Sequence, residues 1–142
     1  MTAEKKQKKN ELSQKQLDIC LGLLTELNEL LLHLPNTDEE VENFNLYLKN
    51  KPQPQTTQSE MMLFLPEDIT TTFLVAYIFP QHALQEKMPF EDISTKACIY
   101  RNVFLRIVRD ELNIKIAGQV SNSSNKRFDK YFADEVKRMY SH

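Results

Sequence analysis

Residues 13–35, SQKQLDICLGLLTELNELLLHLP, decide the fold class. Ser13 followed three residues later by Gln16 is a capping-box pattern, and Pro35 cannot continue a helix interior. The spacing therefore predicts a helix from Ser13 to Leu34. Its apolar residues recur in heptads, with Leu17, Leu24 and Leu31 at one site and Cys20, Leu27 and Leu34 at the other. Leu21, Leu23 and Leu30 widen the stripe. A wide stripe fits a core helix of a bundle, whereas the heptad fits a seam between two chains. Both readings are open at this level. In the second, Leu17, Leu24, Leu27 and Leu31 are the residues that meet a partner or another copy.

Downstream, Thr37 with Glu40 is a second capping-box pattern, opening a short acidic helix to about Lys49. Residues 50–60 are polar and carry two prolines, which reads as a loop. Pro66-Glu67-Asp68 opens a further helix, since proline is tolerated in a first turn and acids there suit the helix dipole. The run Ile69 to Phe79 is strongly apolar, and Met61 to Phe79 is expected to be central core. Thr70, Thr71 and Thr72 are β-branched, which keeps a strand as an alternative there. Pro80 is expected to end this helix, with a short one over Gln81–Lys87. Pro89-Phe90-Glu91-Asp92 opens the next, which gathers Tyr100, Val103, Phe104, Ile107, Val108 and Leu112 on one face and Asn102, Arg106 and Arg109 on the other. Asn113 to Val120 reads as a connection with a small strand or turn, and Ser121 to Asn125 as a loop ending in a cap. A last helix over Lys126–Tyr140 has Phe128, Phe132, Val136 and Met139 as its apolar stripe.

The expected architecture is all-α: a compact bundle of about five to six helices whose N-terminal hairpin could be separable. The expected division is a disordered basic tail (1–11), a leucine-rich and acidic hairpin (12–50), a polar linker (51–60) and a helical region with basic C-terminal helices (61–142). Gly22 and Gly118 are the only glycines, which argues against a turn-rich β-barrel and excludes glycine-rich phosphate loops. Cys20 and Cys98 lie in apolar helical patterns and read as free thiols packed as small hydrophobes. The N-terminal residues have no apolar run of a signal peptide behind them, and no apolar stretch is long enough for a membrane span. An intracellular protein is expected.

His33, His82 and His142 have no second His or Cys at ligand spacing, and no metal or cofactor is expected. The acid pairs Glu39-Glu40, Glu67-Asp68 and Glu91-Asp92 each sit in a predicted first turn, where capping accounts for them. No nucleophile elbow or kinase signature is present, so no catalytic residue is proposed and an enzyme is not expected.

Charge supplies the functional signal. Residues 1–10 carry a balance of +3, residues 11–94 of −10 and residues 95–142 of +5, recovering the net −2. A basic half can hold a polyanion that an acidic half repels. Arg106, Arg109, Lys126, Arg127, Lys130, Lys137 and Arg138 are therefore the candidate contacts to DNA or RNA, and the leading expectation is a non-enzymatic regulatory protein binding nucleic acid through them. The alternative is an adaptor or subunit of a larger complex, docking a protein through the leucine-rich helix or an apolar groove, with 61–79 as one candidate.

Overall fold

The computed structural model describes residues 2–51, 55–112 and 127–140, apart from the side chains of 5–10 and 55–58. The expected connection over Asn113–Asn125 lies outside the described residues, as does Lys126. Six helices and no strand are found among the described residues: α1 (Ala3–Leu32), α2 (Asp38–Asn50), α3 (Gln55–Phe64), α4 (Glu67–Gln85), α5 (Phe90–Glu111) and α6 (Arg127–Tyr140). They form a compact helical bundle. No helix among them is long and apolar enough to cross a membrane.

α1 begins at Ala3, well ahead of Ser13. The residues before Ser13 are mostly Ala, Glu, Lys and Gln, which lose little on entering a helix. The stretch expected as basic tail is thus helical from Ala3. The polar stretch at 51–60 is likewise helical from Gln55.

The buried seam of α1 is Cys20, Leu23, Leu27, Leu30 and Leu34. Leu17, Leu24 and Leu31 flank it, half-buried. The leucine stripe is therefore an intramolecular core face. At the next heptad position up, Gln16 Nε2 donates to the Phe64 carbonyl (2.7 Å), satisfying one of the acceptors left open at the end of α3. Leu27 is 2% exposed, and Leu27→Ala is expected to cost about 2–5 kcal/mol in chemical denaturation.

Two apolar clusters fill the bundle. The larger joins Leu23 and Leu27 of α1, Phe73 of α4, Ile99 and Phe104 of α5 and Tyr131 of α6. The smaller joins Leu30 and Leu34 at the end of α1 with Phe44 of α2, Ala83 of α4 and Ile93 and Ala97 of α5. α2 is held by its capping box: the Thr37 hydroxyl accepts from the Glu40 N–H, and the Glu40 carboxylate accepts from the Asn36 N–H (3.0 Å). At its far end Lys51 pairs with Glu26 of α1 and lies over the Tyr47 and Tyr77 rings, at 5.6 and 5.7 Å. His33 stacks on Tyr47 (3.8 Å between centroids) while its Nδ1 donates to the Glu29 carbonyl (2.8 Å).

The threonine run adopts helix, not strand. Buried Thr72 donates its hydroxyl to the Asp68 carbonyl (2.6 Å), which removes the cost of a buried polar group inside a helix. Pro80 does not end α4, which continues to Gln85. Its ring is fully buried, between the buried Ala76 and Ala83, and that packing outweighs the missing N–H. The helix ends instead in a Schellman turn: Met88 N–H donates to Ala83 carbonyl and Lys87 N–H to Leu84 carbonyl, with Lys87 left-handed at φ 59°. A side chain other than glycine is strained there, so Lys87→Gly is expected to raise stability by up to about 1 kcal/mol, read as a higher denaturation midpoint.

Candidate functional site

Two basic residues of the C-terminal helices, Arg106 and Arg127, turn inward along the contact between α5 and α6. α5 presents Asn102, Arg106 and Asp110, one helical turn apart. α6, running antiparallel, presents Glu135, Tyr131 and Arg127 at the same spacing. Asn102 donates to Glu135 (3.2 Å), and Arg106 reaches Glu135 (3.7 Å) and Asp134 (3.5 Å). The Arg106 guanidinium also lies 4.0 Å from the centroid of the Tyr131 ring. The Tyr131 hydroxyl donates to Asp110, and Arg127 Nη1 lies 3.8 Å from the same carboxylate. Burial, with that bond to Asp110, pushes the Tyr131 phenol up to about 12.

Arg127 closes the lower end of this seam. It is 5% exposed, bonds Asp68 at the start of α4 (2.6 Å) and also bonds Glu111 at the end of α5. Burial alone would lower its pKa; the bonds to Glu111 and Asp68 outweigh this and raise it above the ordinary guanidinium value. One cation thus ties together α4, α5 and α6.

These placements change what the candidate nucleic-acid residues offer. Arg127 is buried and surrounded by carboxylates, and Arg106 is held between Tyr131, Asp134 and Glu135. Arg109 is half-buried. Lys130 and Lys137 are exposed on α6 together with Asp129 and Asp134, and Arg138 lies 4.0 Å from Glu135 with its side chain largely in water. Among the described residues, the outward face of α6 alternates in sign.

Of the candidate partner-binding leucines, one is buried and Leu17, Leu24 and Leu31 are half-buried. Leu27 is buried, Leu24 packs against the larger cluster and Leu31 against the smaller. Cys20 is buried, which pushes its thiol up to about 11, and Cys98 is a free, half-buried thiol.

The sequence reading missed the outer face of α4. Ile69, Phe73 and Ala76 of that helix are buried as expected, but Leu74, Val75 and Ile78 are 40%, 39% and 54% exposed, and Met62 and Leu63 of α3, also expected in the core, face water. With exposed Thr71 they form a stripe at i, i+3, i+4 and i+7. At one end the stripe meets a cleft of about 320 Å³ between α4, α5 and α6, lined by Glu67, Asp68, Thr71, Val75, Arg127 and Phe128 among others. Exposed Glu67 and Asp68 lie in the first turn of α4 at this cleft.

Comparison with protein-family models, curated proteins and solved structures finds no match for this chain.

Proposed function

We propose that the protein is a non-enzymatic interaction subunit that docks a protein partner on the outer face of α4. The observation that carries this reading is the stripe of Leu74, Val75 and Ile78, which places large apolar side chains in water on one helix face. Contiguous exposed apolar surface of this kind marks binding sites. The spacing is that of a helix-in-groove contact, in which anchors recur one turn apart. Its position beside a cleft with polar groups at one end supplies both burial and orientation. The inward use of Arg106 and Arg127 favours this reading over nucleic-acid contact, because it leaves the C-terminal helices a face of mixed charge.

The reading is tested by the double substitution Leu74→Asp with Ile78→Asp. Both side chains face solvent, so thermal stability is expected to change by no more than about 0.5 kcal/mol for each. Partner co-purification from cells is expected to be lost. Retained co-purification would contradict the docking role, and a large loss of stability would mean that the stripe belongs to the fold.

A further inference from the structure

We infer that the partner is an amphipathic helix carrying a basic side chain, which seats in the cleft at the start of α4. The inference rests on the docking reading above and adds the chemistry of the partner.

The charge at the cleft decides it. Among the described residues Arg127 is the one cation lining it, and its guanidinium is already surrounded by Asp68, Asp110 and Glu111. Exposed Glu67 stands next to Asp68 in the first turn of α4. Three carboxylates around one guanidinium, with Glu67 on the same cleft, leave an excess of negative charge among the described residues. An acidic or phosphorylated ligand is repelled there, and a second copy docking through the same face would bring the same carboxylates.

The walls fit the rest of a long cation. Val75 and Phe128 are apolar and line the same cleft. A Lys or Arg stem packs on such surface while its head reaches a carboxylate. Thr71 supplies a hydroxyl at the junction between cleft and stripe. The stripe then takes the apolar face of the same helix through Leu74, Val75 and Ile78.

The test is a displayed library of designed helical peptides, all with a leucine stripe and with the flanking positions randomised. It is selected in parallel on the full-length chain and on the Leu74→Asp, Ile78→Asp variant. Sequences retained by the first and not the second are expected to be enriched in Lys or Arg at one position flanking the stripe. Glu67→Lys, which alters a solvent-facing residue, is expected to weaken a selected basic peptide about tenfold in fluorescence polarisation. The matched peptide with Glu at the flanking position is expected to regain affinity on that variant. Stripe-dependent peptides with no basic preference, or with an acidic one, would overturn the inference and leave the docking reading standing. If both chains retain the same peptides, the docking reading falls as well. Concentration-dependent doubling of the mass that is abolished by Leu74→Asp, Ile78→Asp would assign the face to a second copy and overturn the basic partner.

Discussion

A chain shortened to residues 60–142 is expected to lose cooperative folding. The truncation removes Ile19, Cys20, Leu23 and Leu27, which share one apolar cluster with Phe73, Ile99 and Phe104. It also removes Leu30, Leu34 and Phe44, which cover Ala83, Ile93 and Ala97. A fully buried large aliphatic or aromatic side chain contributes about 1.5–3 kcal/mol of transfer free energy. The whole stability of a domain is about 5–15 kcal/mol, so losing this set leaves no net stability. Circular dichroism on heating is expected to show a broad, shallow decline in place of a transition. A sharp transition in the fragment would show that α4, α5 and α6 fold by themselves and that the N-terminal hairpin is separable after all.

Arg127→Ala is expected to cost about 3–5 kcal/mol, because removing one partner of a buried ionic cluster leaves the others uncompensated. Asp110 and Glu111 stand in the last turn of α5, where the helix dipole already disfavours anions, and Arg127 stands in the first turn of α6, where it disfavours a cation. Each is unfavourably placed alone, and the opposite charges offset one another in part. Arg127→Lys is expected to fall between, since an ammonium keeps the charge but lacks the planar fork that reaches Asp68, Asp110 and Glu111. The measurement is urea denaturation of the three proteins side by side. Equal midpoints for all three would show that the cluster contributes nothing net, with solvent around Asp68 compensating for the lost cation.

The helical class was legible because its signals are local, although α3 was not expected and the expected helix over Gln81–Lys87 is part of α4. Thr37 with Glu40, Pro66 before Glu67 and Pro89 before Phe90 each mark a helix start through groups a few residues apart. Pro80 was misread because its cost is local while the compensating burial is tertiary. The face of α1 was read in part: Cys20, Leu27 and Leu34 are correct, but a run with leucines at adjacent positions does not say whether Leu23 or Leu24 meets the neighbouring helix. α4 has the same difficulty in stronger form. From Phe73 to Phe79 every residue is apolar, so no polar position betrays that Leu74, Val75 and Ile78 face water.

The α5–α6 seam left a trace that was readable in hindsight. Asp110-Glu111 at a helix end and Arg127 at a helix start contradict the dipole rule, and such paired violations point to partners brought together by folding. A charge count over residues 95–142 cannot register this, because it treats Arg106 and Arg127 as surface. Their reversal to Glu would break the seam as well as any contact with a polyanion, so it cannot separate binding from folding. The solvent-facing Lys130 and Lys137 can.

The most direct test of the account is a photo-activated cross-linking residue placed in living cells at Ile78 in one chain and at Lys137 in another. Cross-linking at position 78 to a discrete protein, abolished by Leu74→Asp in the same chain, with none at position 137, is the predicted result. Cross-linking to nucleic acid at position 137, with nothing captured at position 78, would contradict it.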